Sequence, residues 1–130
     1  MKNLFFIYLA ICLCVISCKK DTSKKSVINN VTFKFYPGSH PSTILITNLL
    51  TGDIKKYDNQ KDSLIINTTV NIGDKIQPEM MGNMSFADDR YIISVYANGK
   101  LIAKDGVHGP SNDGNYDVKI LVTFTANNFK

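Results

Sequence analysis

Arg90-Tyr91-Ile92-Ile93-Ser94-Val95-Tyr96-Ala97-Asn98-Gly99-Lys100-Leu101-Ile102-Ala103-Lys104 is the stretch on which the fold turns. Residues 90–97 alternate, with Tyr91, Ile93 and Val95 on one side and Ile92, Ser94 and Tyr96 on the other, which is the period of a β-strand. Asn98-Gly99 then supplies two residues that tolerate positive φ, as both central positions of a type I′ turn require, and the twist of that turn matches the strands it joins. The spacing predicts a two-residue hairpin linking 90–97 to 100–104.

The same period extends outward. Val31, Phe33 and Phe35 alternate with Thr32, Lys34 and Tyr36 in a first strand, and Pro37-Gly38-Ser39-His40-Pro41-Ser42 ends it as a loop. Ile44 and Ile46 mark a second strand over 43–48. A turn at 50–53 leads to a short strand at 54–57, whose Lys55 and Lys56 suit an exposed edge. Residues 64–70 are rich in β-branched side chains, Asn71-Ile72-Gly73-Asp74 turns the chain, and Pro78 makes 75–81 an edge or bulged strand. Residues 81–89 and 105–115 read as loops, and a side chain added at Gly106 should cost little there. The last strand, 116–125, sets Tyr116, Val118, Ile120, Val122 and Phe124 on one face. With no helical periodicity, the pattern predicts an all-β fold, an antiparallel immunoglobulin-like β-sandwich of about seven strands. Phe33, Phe35, Tyr91 and Phe124 are expected in its core.

Ahead of the domain, Lys2 precedes an unbroken apolar run from Leu4 to Ile16, of signal-peptide length and too short to cross a bilayer as a helix. It ends in Val15-Ile16-Ser17-Cys18. This tetrapeptide resembles the lipobox of bacterial lipoproteins, with an aliphatic residue three before the cysteine and a small one just before it. The resemblance implies a diacylglyceryl group on Cys18 and cleavage before it. The chain then divides into a signal peptide (1–17), an acylated cysteine with a Lys/Ser tether (18–26) and a β-sandwich (27–130). Cys12 and Cys14 fall in the removed segment, so Cys18 is the only cysteine left and no intrachain disulfide is expected. Lys-Lys-Asp after Cys18 resembles the charged export signals of Bacteroidetes surface lipoproteins. The expected location is the cell envelope, anchored by lipid to a bacterial membrane, with the outer membrane favoured.

Of 15 basic and 11 acidic residues, the first 26 positions hold five lysines against one aspartate, which leaves the remainder formally neutral. The basic balance belongs to the tether, where it suits anionic lipid head groups. A neutral domain argues against nucleic acid as a partner.

Motifs for catalysis are absent: there is no Gly-x-Ser-x-Gly, P-loop, Rossmann glycine run or His-Glu-x-x-His. His40 and His108 lie in expected loops, and Asp105, three residues before His108, has no nucleophile to complete a set. Met80, Met81 and Met84 offer soft ligands, but their spacing matches no copper site, so gap filling or a contact surface is the plainer reading. Asp88 and Asp89 could meet Asp105 or Asp113 as oxygen ligands if their loops converge. Met84, Asp88, Asp89, Asp105, His108 and Asp113 are therefore the candidate ligand-loop residues. No catalytic residue, metal or cofactor is assigned.

The hairpin at 90–104, with its Asn-Gly-Lys turn, resembles one near the C-terminal end of the small β-sandwich domains of the mycobacterial MmpS-like transport-accessory family and of similar small Bacteroidetes lipoproteins. Two departures stand out: the paired cysteines of the mycobacterial domains are missing, and the anchor is lipid rather than a helix. The resemblance implies a non-catalytic binding or interaction module, accessory to a larger envelope or transport complex. The alternative is a protein that captures ions, glycans or small molecules at the loops 81–89 and 105–115.

Overall fold

The computed structural model describes residues 29–84, 90–108 and 114–130, and of Met84 only the backbone. Among these residues nine strands follow one another: β1 (Asn29–Tyr36), β2 (Ser42–Asn48), β3 (Ile54–Gln60), β4 (Leu64–Val70), β5 (Lys75–Met84), β6 (Arg90–Ala97), β7 (Lys100–His108), β8 (Gly114–Lys119) and β9 (Val122–Thr123). A short 3₁₀ turn, η1 (Ala126–Phe129), follows. One sheet runs β4-β1-β6-β7 and the other β3-β2-β5-β8, with β9 continuing alongside β5. All these pairings are antiparallel.

Side-chain alternation places the core between the sheets. Val31, Phe33 and Phe35 of β1 face Ile44, Ile46 and Met80 of the other sheet's strands, with Tyr91, Ile93, Val95, Val118, Val122 and Phe124 filling the remainder. The four aromatics expected in the core are all fully buried. Burying a large apolar side chain contributes about 1.5–3 kcal/mol, so this double row is the main source of stability.

The pairing order is that of an immunoglobulin-like sandwich with one substitution. There, strands B and E pair in one sheet and C, F and G in the other. Here β1–β4 take the B–E places and β2–β5–β8 the C–F–G places, with β3 beside β2. The place of strand A, next to B, is filled by the hairpin β6–β7, which enters the chain between the F and G positions.

That hairpin has the expected turn. Asn98 and Gly99 both have positive φ, at 46° and 82°. Its second arm is longer than the sequence predicts, because β7 continues through Asp105 and Gly106 to His108. Residues 105–108 are strand and not loop. A Cβ on Gly106 would lie 2.5 Å from the Tyr91 carbonyl oxygen, so this glycine is required by close approach to β6 and a side chain would not be tolerated. Likewise β5 extends to Met84, so residues 81–84 are strand, and β8 begins at Gly114.

Pro78 is not at an edge, since β5 has β2 on one side and β8 with β9 on the other. The Pro78 carbonyl accepts from the Ile120 amide at 3.1 Å, which points its missing N–H to the same side. On that side the expected last strand breaks into β8 and β9 at Ile120 and Leu121. The partner strand thus carries the irregularity that the proline imposes.

The two ends of the sandwich differ. At the proximal end the described chain enters at Asn29, paired with Val70. The 49–53 and 71–74 connections, the Asn98-Gly99 turn and η1 lie there too. The Leu49 amide donates to the Lys75 carbonyl at 2.8 Å, and Asn98 Nδ2 to the Phe129 carbonyl at 3.2 Å. At the distal end are residues 37–41 and 61–63 and the roots of 85–89 and 109–113.

Candidate functional site

On one side of the sandwich the free edges are β3 and β4, one from each sheet, and among the described residues no ladder joins them. Between them the core is open in a cleft of ≈ 190 Å³ toward the proximal end. Alternation of β1, β2, β4 and β5 brings Phe33, Ile46, Ile66, Val70 and Ile76 to its floor. Asn48, Asp53, Lys55, Thr68, Thr69 and Asp74 form its walls and rim.

Lys55 stands directly opposite Ile46, so it occupies an inward-facing register position on an edge strand. Asp53 and Asp74 are held by local bonds: Thr51 Oγ1 donates to Asp53 at 2.7 Å and the Asn71 amide to Asp74 at 2.8 Å. The result is an apolar trough with one cation and two carboxylates at its mouth. Cavities that enclose a drug-sized ligand are about 300–1,000 Å³, so this one is suited to one or two inserted side chains. It also runs beside two strands whose outer edges pair with no other described strand, and of these β4, with no charged residue, is the edge to which an extended peptide can add.

Among the described residues, Asp105 and His108, read from the sequence as ligand candidates, are not brought together in one site. Cys18, Asp88, Asp89 and Asp113 lie outside the described residues. Met84 ends β5, opposite Gly114, and His108 ends β7, opposite Arg90. The residues flanking 85–89 and 109–113 therefore lie at the same distal end. Asp105 pairs with Ile93 within β7 and belongs to the sheet, not to a loop. Three residues apart on a strand, Asp105 and His108 face opposite sides and cannot act as a pair. Met80 is buried in the core while Met81 pairs with Thr43 and Asp117 on the outer face, so these two thioethers cannot share an ion. Among the described residues no group of three or more His, Cys, Asp or Glu could hold a metal.

Two polar clusters escaped the sequence reading. On the outer face of the second sheet Glu79, only 8% exposed, receives Lys119 at 3.1 Å, and Lys119 also reaches Asp117 at 2.7 Å. The hydrogen bond to Asp117, then that to Glu79, raises the Lys119 pKa above its ordinary value. At the distal end Tyr91 and Tyr116 pack with ring centroids 3.7 Å apart. Tyr91 donates to the Asn83 carbonyl at 2.9 Å, and the Tyr116 hydroxyl bonds Ser42 Oγ at 2.6 Å. The first cluster ties β5 to β8 within one sheet, and the second ties β6 to β5 and β8 across the two sheets. Neither has a local motif that marks it, because Glu79 in the first and Ser42, Tyr91 and Tyr116 in the second are brought in from strands distant in the chain.

Compared with protein-family models and with curated proteins, the sequence matches none.

Proposed function

We propose that this protein is a lipid-anchored protein of the bacterial envelope, held through Cys18, whose β-sandwich is a non-catalytic module that binds a partner polypeptide. The observation that carries the binding half is the apolar-floored cleft between the free edges of β3 and β4. Its volume suits a few side chains rather than a whole small molecule, and its rim charges offer direction to an extended segment. The anchoring half is supported by Val15-Ile16-Ser17-Cys18, and a two-chain lipid is enough for stable membrane attachment. Accessory service to a larger envelope complex follows from that placement.

Each half has its own test. Cys18→Ala should abolish incorporation of labelled palmitate and leave uncleaved precursor, and labelling that persists in the variant rejects the anchor. For the cleft, a photo-crosslinking residue replaces Ile66, which lines the floor, or Ile65, its neighbour on the outer face, which is 56% exposed. In intact cells position 66 should yield a discrete adduct that position 65 does not. Identical patterns from both positions would reject the cleft as the binding site.

A further inference from the structure

Among the described residues, several large apolar side chains are exposed, and four of them lie together at the proximal end, whereas Tyr36, Ile65 and Leu121 are exposed elsewhere. Leu49 and Leu50 form the tip of the β2–β3 connection, at 45% and 59% exposure, and Ile54 follows at 62%. Ile72, 57% exposed, is on the tip of the β4–β5 turn. The two connections are neighbours, tied by the bond from the Leu49 amide to the Lys75 carbonyl. Asn48 Oδ1 accepts from the Leu50 amide at 2.9 Å and from the Thr51 amide at 3.4 Å, so Leu49 and Leu50 are presented on a fixed backbone. Single exposed apolar residues need no explanation, but three on two adjoining tips, with Ile54 at the start of β3 beside them, do.

We infer that this end of the sandwich rests on the lipid bilayer, with Leu49, Leu50, Ile54 and Ile72 set into the head-group layer. The inference rests on the anchoring reading above. Three observations select lipid over a protein partner. The described chain enters at this end, at Asn29, and Cys18 lies only eleven residues earlier, within about 40 Å even when fully extended. Exposed Lys75 follows the Ile72 tip and exposed Lys100 follows the Asn98-Gly99 turn at the same end, and Lys19, Lys20, Lys24 and Lys25 precede the domain, a mixture of apolar and basic groups that anionic interfaces attract. The acidic residues beside these tips, Asp53 and Asp74, are engaged by their own turns.

The chain contains no tryptophan, so one introduced residue reports its own surroundings without background. The acylated protein is purified from membranes as Leu50→Trp, Ile72→Trp or Ile65→Trp, the last near the opposite end, and reconstituted in phosphatidylethanolamine–phosphatidylglycerol vesicles. Emission from Leu50→Trp and Ile72→Trp should move to shorter wavelength and be quenched by brominated lipid, while Ile65→Trp should stay unquenched. If the protein floats with vesicles but none of the three is quenched, the docking is wrong and the anchor stands. Equal quenching at all three positions also overturns it, since the domain would then lie on its side. A shift that depends on protein concentration in the absence of vesicles assigns the tips to a second copy instead. A protein that does not float removes the anchoring reading and this inference with it.

Discussion

Gly99 and Gly106 sit in one hairpin for opposite reasons. A side chain at Gly99 would meet nothing within 4 Å, but the φ of +82° there is a region that β-branched residues disfavour. Gly99→Val should cost about 1–3 kcal/mol, the range for strained backbone, and lower Tm by several degrees. Gly106 is the reverse case, with φ outside the left-handed region and no room. Gly106→Val drives a side chain into the Tyr91 carbonyl and should lower Tm at least as far as Gly99→Val, whereas a loop residue would have shown little change. Thermal melts of the two variants decide it, and a Gly106→Val protein as stable as the wild type would contradict the β6–β7 pairing at that level. At the same scale, Lys119 tests the Glu79–Asp117 cluster. Its folded pKa is raised, so its contribution to stability is complete below about pH 10.5 and disappears as the pH rises through the higher folded value. Between pH 9 and 12 the wild type should therefore lose Tm more steeply than Lys119→Met, and parallel curves would show that the cluster is energetically silent.

Elements differ in how their edges are protected. β3 carries Lys55 opposite buried Ile46, and β7 carries Asp105 opposite buried Ile93, so each of these edge strands holds a charge at a position that alternation directs inward. A charge there obstructs the addition of a strand from another molecule, because pairing would have to desolvate it. Lys55→Val and Asp105→Val should leave Tm within a few degrees of wild type yet increase self-association, measured by light scattering against time at fixed concentration. Absence of any increase would mean that other features guard these edges. The faces of these strands were legible in the sequence, because alternation is a local property: Phe33, Ile44, Ile46, Tyr91 and Ile93 are all buried as their spacing predicts. Edge or centre was not, because it depends on which strands pair. Lys55 and Lys56 marked β3 as an edge correctly, but Pro78 lies in the middle of its sheet, its missing donor matched by the break at Ile120 and Leu121. Asp105 and Gly106 read as loop residues for the same reason, since only the register with β6 reveals what they do.

For the whole molecule, sequence carried the class of fold and left the candidate site hidden. The cleft draws Phe33, Ile46, Ile66 and Ile76 from four strands, and each of these looks like an ordinary core position. Nothing local distinguishes Phe33, fully enclosed at a cleft floor, from Phe35, enclosed in the packed interior; the difference arises because β3 and β4 do not meet. Of the residues that looked functional, the described Met84 and His108 end β5 and β7 at the opposite end. With strands of about eight residues at about 3.3 Å each, those strand ends stand roughly 25 Å from the proximal tips.

The position of β1 has a consequence for how the chain is made. It is the first strand among the described residues but the second in its sheet, and both neighbours come later: β4 ends at Val70 and β6 at Ala97. A chain delivered N-terminus first presents β1 with an open edge until β6 arrives. At synthesis rates of about 5–20 residues per second, the interval between the emergence of Tyr36 and that of Ala97 lasts roughly 3–12 s. During that interval the sequence Val31-Thr32-Phe33-Lys34-Phe35 is an apolar strand with no partner on one side, the kind of segment that other chains can capture. The sandwich is thus closed by its late hairpin, and a nascent chain stalled before residue 90 offers β1 as a client to whichever holdase accompanies it.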